Sequence, residues 1–256
     1  MLFISTQEWM QRDRILFLLR TADSSKSDWI YEWAISNAYL DFCRVLSGYA
    51  KSVGEMDDEE TPKAKTKGFL RNEFKKFFDA EAKRKEEFND WHVKTINGVC
   101  SIWKETVYKN NLNHEREFTI GCAQKWVNMT FKYLYALLDS AQFLGFKEIE
   151  NSKFKFCHIP LDRYVIENAA MLGVNPSFHT PWSQIDNYGD YKGYEEKLFD
   201  LAQKLDITPL EFESFLWIKS NEASDKLRKE EQERTMKEKI WQFCKGTGKA
   251  IPEGWN

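Results

Sequence analysis

The chain has 256 residues, of which 42% are apolar, 15% aromatic and 30% charged, with a net charge of −3 and a pI of about 5.9. That supplies a sizeable core and excludes a uniformly basic nucleic-acid binder, leaving room only for a local basic face. With 12 glycines and 6 prolines the chain is long on continuous elements, which favours an all-α protein over a β-sandwich or barrel.

Residues 7–20 read as an amphipathic helix that ends in the polar cluster 21–28. Ser27 or Asp28 then caps a helix over 29–53, in which Ile30, Trp33, Ala34, Asn37, Ala38 and Phe42 recur at three- and four-residue steps. Residues 54–68, GEMDDEETPKAKTKG, run from acidic to basic and read as a mobile surface loop. A basic helical segment follows; from Lys63 to Arg84 there are eight basic residues against three acidic ones. It is either a solvated face or a phosphate-tracking surface, with Lys75 and Lys76 as candidate DNA contacts. KNNLNHERE at 109–117 is a polar break.

Residues 119–138, TIGCAQKWVNMTFKYLYALL, open on a turn signal at Gly121 and continue as a periodic helix. CHIPLDRYVIE at 157–167 reads as a turn into a helix, and 173–193 as a long connection. An amphipathic helix follows over 191–206. Thr208 and Pro209 start the next helix as N-cap and first helical residue, with Glu211 in third position. Residues 222–239 carry six acidic and six basic side chains and read as a solvated helix or a partly disordered extension. The five cysteines are odd in number and scattered without metal-ligand spacing, and no signal peptide or membrane-length apolar run is evident. A cytoplasmic protein without metal or cofactor is expected.

Two residues stand out chemically. Lys125 has Cys122, Ala123, Trp126, Val127 and Met129 as neighbours, and Met129 and Lys132 lie near its helix face. An ammonium among apolar groups at a helix start loses hydration, which favours the neutral amine, a nucleophile competent for Schiff-base chemistry on a sugar carbon. The competing reading is a lysine snorkelling from a half-buried helix start. Asp162 is either an ordinary N-cap or a carboxylate facing Lys125 across a cleft, able to stabilise positive charge on a sugar as a glycosidic bond breaks. Trp217, one turn after Glu213, is either a core tryptophan or a ring that stacks on a flat base. The four histidines show no ligand spacing.

Three stretches, in order, carry a resemblance. Gln124-Lys125 with Thr130-Phe131-Lys132, then Ile159-Pro160-Leu161-Asp162, then Ile207 through Trp217, resemble the archaeal 8-oxoguanine DNA glycosylases, the AGOG branch of the helix-hairpin-helix glycosylase superfamily. The match covers about 119–220. The resemblance implies an all-α, two-lobed helix-hairpin-helix glycosylase-like fold with a central cleft. Its single catalytic domain would comprise an N-terminal helical lobe at 1–118, hairpin and catalytic helices at 119–220, and a charged C-terminal helix and tail at 221–256.

The same resemblance implies that Lys125 is the catalytic amine and Asp162 the catalytic carboxylate. Lys132, Glu213 and Met129 would line the base pocket, Trp217 would stack on the extruded base, and Trp29 would correspond to a pocket tryptophan. Gly121 is what remains of a Gly-x-Gly turn that binds a DNA phosphate through backbone N–H groups. The family has an aspartate in place of Glu213 and an aromatic in place of Met129. The substrate is therefore open between an oxidised purine of the 8-oxoguanine type and a hypermodified cytosine of phage DNA, the latter excised in antiphage defence. The expected partner is double-stranded DNA containing a modified base, bound by a monomer, with or without AP lyase activity. The alternative from a different class is a non-catalytic helical module that binds DNA or protein.

Overall fold

The computed structural model describes residues 28–46, 61–81, 84–109, 115–218 and 226–247. It is predominantly helical. The helices are α1 (Trp29–Phe42), α2 (Pro62–Asp79), α3 (Lys85–Trp103), α4 (Ile120–Ala136), α5 (Leu138–Phe143), α6 (Arg163–Met171), α7 (Tyr188–Lys204), α8 (Pro209–Ile218) and α9 (Lys226–Thr247). β1 (Val107–Lys109) pairs antiparallel with β2 (Glu115–Glu117). Among the described residues no helix is long and apolar enough to cross a membrane. The chain forms two compact units, Met1–Phe118 with Trp126–Phe154, and Thr119–Lys125 with Lys155–Asn256. One boundary falls between Phe118 and Thr119; another falls inside α4, whose first turns belong to the second unit.

Three expectations change. The helix expected over 7–20, the cap at Ser27, the part of the proposed loop at 54–60 and the stretch 47–53 lie outside the described residues. Residues 62–68 of that loop are the start of α2. Thr61 Oγ1 accepts the Ala64 N–H at 3.2 Å and Pro62 occupies the first helical position, so the start is capped and preset despite its lack of apolar residues. The basic segment after it is two helices, α2 and α3, separated at 80–84. The polar break at 109–117 contributes to a two-stranded pairing of Val107 with Glu117 and Lys109 with Glu115.

In the first unit the helices form where apolar residues recur at helical steps. Leu70, Phe74, Phe77 and Phe78 bury one face of α2, and Phe88, His92, Ile96, Val99 and Trp103 bury one face of α3. Helix α2 packs on both α1 and α3. The aromatic surplus serves this core: Phe131 of α4 lies 4.8 Å from Phe74 and 5.2 Å from Phe77, and Trp91 lies 4.7 Å from Phe77. Edge and tilted ring pairs of this kind add about 0.5–1.5 kcal/mol each beyond the area they bury. Asp28 sits at the N-cap of α1 without capping it; its carboxylate is 3.4 Å from Arg71 on α2. Lys153 is buried and donates to the carbonyls of Phe78 and Ala80, neutralising the C-terminal end of α2.

His92 is fully buried in the same unit, with Nε2 2.9 Å from Asn128 Oδ1. Burial lowers its pKa from 6.5 to about 4, against a smaller opposing effect of the Asn128 contact. Between those values the unfolded chain binds a proton that the folded chain does not, so folding is favoured as pH rises through this window. Urea unfolding at pH 4.5 and pH 7 is expected to show a wild-type loss of up to about 3 kcal/mol on acidification, reduced by His92→Gln, which keeps a donor for Asn128 without a charge to bury.

In the second unit α8 packs against α6, α7 and α9. The Thr208 start is as the sequence predicts: Thr208 N–H donates to Glu211 Oε2 at 2.7 Å and Glu211 N–H to Thr208 Oγ1 at 3.3 Å, a reciprocal capping box. The charged C-terminal stretch is the helix α9, anchored by Ile240 and Cys244, which are one turn apart and both buried.

Candidate functional site

The second unit is built around a short strap, residues 157–162, that delivers Asp162 to the start of α6. Three buried side chains hold it. Gln124 of α4 pairs with Leu161 as one peptide pairs with another, its Nε2 donating to the Leu161 carbonyl and its Oε1 accepting the Leu161 N–H, both at 3.1 Å. Lys125 Nζ donates to the Pro160 carbonyl at 3.2 Å. Glu195 of α7 accepts the Ile159 N–H at 2.9 Å through Oε2, while Oε1 is buried with no hydrogen-bond partner among the described residues. Burial pushes the Glu195 carboxyl well above the usual carboxylate range, the Ile159 N–H pulling only partly the other way. Beside it, His158 Nδ1 is 2.9 Å from the Tyr191 hydroxyl.

Asp162 is the N-cap of α6 and is at the same time in direct contact with Lys125. Its Oδ1 accepts the Val165 N–H at 2.9 Å, the N-cap bond of α6. Its Oδ2 accepts from Lys125 Nζ at 2.9 Å and from Trp217 Nε1 at 3.1 Å. Burial works to raise its pKa, but the charge of Lys125, the Val165 N–H and the hydrogen bonds from Lys125 and Trp217 outweigh it and hold the carboxyl below its ordinary value. Lys125 is 5% exposed and sits in a direct ion pair, not bare among apolar side chains as its sequence neighbours suggest and not across a gap from the carboxylate. The Trp217 indole N–H donates to Asp162, and the ring is 36% exposed. Glu213, one turn earlier on α8, is fully buried. Asn168 of α6 donates to the Leu216 carbonyl at 2.6 Å, tying the end of α8 to α6 next to Trp217.

Gly121 is not a turn residue but the second residue of α4. Its N–H donates to the Ile185 carbonyl at 2.8 Å, so the amide assigned to a phosphate is already committed inside the protein. Its glycine identity has a steric cause: a Cβ at this position would lie 1.8 Å from the Trp182 carbonyl oxygen. Thr119 and the 182–185 turn complete the contact, Thr119 Oγ1 donating to the Ser183 carbonyl at 2.9 Å. Gly121→Ala is therefore expected to lower thermal stability by more than the roughly 1–3 kcal/mol typical of overpacking, because backbone and not a side chain must move; a melting curve unchanged from wild type would contradict this contact.

The other residues singled out by the sequence, Trp29, Lys75, Lys76, Met129 and Lys132, belong to the first unit. Trp29 and Met129 are buried there, and Trp29 meets Phe146 edge-on at 5.5 Å. Lys75 and Lys76 are exposed but pair within α2, with Asp79 at 3.2 Å and Glu73 at 2.8 Å. Exposed pairs of this kind hold their partners by no more than about 1 kcal/mol. Helix α2 still carries six basic residues against two acidic ones. The roles assigned to Trp29, Met129 and Lys132 rest on the resemblance alone, and those assigned to Lys75 and Lys76 on the basic composition of their segment.

Sequence reasoning missed Glu195 and the Gln124 clamp. Glu195 had a legible signal: it shares the apolar stripe of Tyr191, Tyr194, Leu198 and Ala202 on α7, where an acid has no solvent to face. Comparison with protein-family models, curated proteins and solved structures gives no match for the chain.

Proposed function

We propose that the chain is a DNA glycosylase of the helix-hairpin-helix kind, acting as a cytoplasmic monomer on a modified base in double-stranded DNA. One observation carries the reading. Lys125, Asp162 and Trp217, which the sequence resemblance selects separately, meet on one carboxylate oxygen although 37 and 55 positions separate Asp162 from the other two. An amine, an anion and an exposed indole at one point are what base excision requires: a nucleophile, a stabiliser for the cationic sugar and a surface for the extruded base.

The chemistry follows from those contacts. Asp162 takes a proton from the Lys125 ammonium, and Nζ bonds to C1′ as the C1′–N bond to the base breaks. The bonding pair leaves with the base, which takes the proton held by Asp162. A proton then passes from Nζ to O4′ as the C1′–O4′ bond opens, leaving an iminium on Lys125 beside the restored carboxylate. Loss of a C2′ proton with cleavage of the C3′–O bond would complete strand scission. If Lys125 instead assists a water, the enzyme is monofunctional. The resemblance gives Glu213 and Trp217 to the base, and the substrate is an oxidised purine or a hypermodified cytosine of phage DNA.

The test is borohydride reduction of a mixture of the chain with DNA carrying 8-oxoguanine or glucosylated hydroxymethylcytosine. Hydride reduces the iminium at C1′ to a stable secondary amine, so protein–DNA adduct on either substrate supports the reading. Neither adduct nor released base on any oxidised, deaminated or glucosylated substrate returns the chain to a non-catalytic helical module.

A further inference from the structure

Glu195 on α7 takes no part in the proposed chemistry, yet it sits where a charge is costly. It is 3% exposed. Its Oε2 holds the Ile159 N–H at 2.9 Å, and its Oε1 has no hydrogen-bond partner among the described residues. A neutral carboxyl tolerates that arrangement. A carboxylate does not, because one N–H donor replaces little of the water that an anion gives up. Burial accordingly raises the carboxyl well above its ordinary 4.5, and the Ile159 N–H, which favours the anion, opposes this only in part.

The titratable groups on the elements around Glu195 are Cys157 and His158 of the strap, Tyr191 and Tyr194 of its own helix, Glu213 of α8, and Lys125 of α4. Burial keeps the proton on the Cys157 thiol. His158 Nδ1 meets the Tyr191 hydroxyl at 2.9 Å, and the Tyr194 hydroxyl donates to the Val174 carbonyl at 3.4 Å. Lys125, a cation, gives its ammonium to Asp162 and the Pro160 carbonyl. What Glu195 holds leads straight to Asp162. Ile159 is followed by Pro160, which has no N–H, and then by Leu161 and Asp162. Gln124 and Lys125 of α4 hold residues 160 and 161, and Glu195 of α7 holds residue 159.

We propose that Glu195 is a proton-operated latch on the strap: protonated, it keeps the strap closed behind Asp162, and loss of that proton opens the strap and parts Asp162 from Lys125. The closed strap keeps a proton on Glu195 that the opened, hydrated carboxyl gives up above 4.5. Closure is therefore fully stable below that value and weakens as pH rises toward the raised one. Within this window the opening constant grows by up to about tenfold per pH unit. The latch puts the proposed base-excision site under pH control, and it rests on that reading for its consequence but not for its existence.

The experiment is native-state hydrogen exchange of the full chain, read by NMR at about pH 5, 6 and 7 as protection relative to the intrinsic amide rate. The amides followed are Ile159, Leu161 and Val165, the last of which is bonded by Asp162 and not by Glu195. In wild type, protection at all three is expected to fall together, by up to about tenfold per pH unit. Glu195→Gln keeps an acceptor for Ile159 and cannot ionise, so its protection stays level with pH. Glu195→Met, similar in volume but without an acceptor, gives protection that is lower and equally level. Level protection in wild type, a fall confined to Ile159, or a fall that persists in Glu195→Gln and so belongs to another group such as His158, overturns the latch. A pH-dependent strap with no base released from any DNA substrate overturns the glycosylase and leaves the latch standing; base release with level protection does the reverse.

Discussion

Lys125→Ala is expected to form no borohydride-stable adduct and to release base at least about 100-fold more slowly than wild type. Nζ of Lys125 is the atom in contact with Asp162, and it reaches that position from a helix turn closed around it: Gln124 beside it is locked to Leu161, and Gly121 one turn earlier is pressed against the Trp182 carbonyl. No other described lysine touches Asp162. Lys132→Ala therefore keeps the adduct. The structural cost of Lys125→Ala is contained, because Asp162 keeps the Val165 and Trp217 N–H donors. If the pair were only a clamp, Lys125→Ala would lower stability and leave base release, normalised to folded protein, untouched.

Asp162→Asn separates the two roles that one residue holds. Asparagine caps helices as well as aspartate, so α6 keeps its start. What goes is the negative charge beside the cationic sugar, a term that typically contributes a factor of about 10²–10³. The ammonium of Lys125 then lies almost buried with only neutral acceptors, an uncompensated charge that costs about 1–3 kcal/mol at a site not fully sealed from water. Chemical unfolding should show that loss, and Lys125→Met in the Asp162→Asn background should recover part of it, since both members of the pair are then neutral. Single-turnover base release should not recover. Recovery of both together would mean that the pair acts on stability alone.

The helical class and the helix starts were legible where a local rule acts alone. Thr208-Pro209 with Glu211 was read as a cap and is one. Thr61-Pro62 carries the same signal but follows an acidic run and lacks apolar company, so the composition of 54–68 overrode it; the apolar residues that commit α2 to the core come later, at Leu70 and Phe74. The Val107–Glu117 pairing was illegible because its second strand, Glu115–Glu117, has no apolar alternation.

At the site, residue identities could be read and contacts could not. Sequence spacing placed a lysine at the start of α4 and an aspartate at the start of α6, yet the direct ion pair depends on the strap before Asp162, fixed by Gln124 and Glu195 from two other elements. Gly121 was read as a turn because glycine usually marks one; here its missing side chain admits a carbonyl oxygen, a demand made by residues 61 positions on. Much of the aromatic content goes to packing: Phe74, Phe77, Phe88, Trp91 and Phe131 form a core cluster. Tyr164 and Trp217, by contrast, are exposed.

Mass spectrometry of free bases tests most directly the proposal that Lys125 and Asp162 release a base from DNA. Mixed genomic DNAs, including phage DNA with glucosylated cytosines and DNA oxidised at guanine, are incubated with wild type, Lys125→Ala and Asp162→Asn, and the filtrates are compared. One modified base appearing with wild type and missing from both variants is the predicted result, and its mass names the substrate. Filtrates identical to those without protein, or a base released equally by all three chains, would contradict the account.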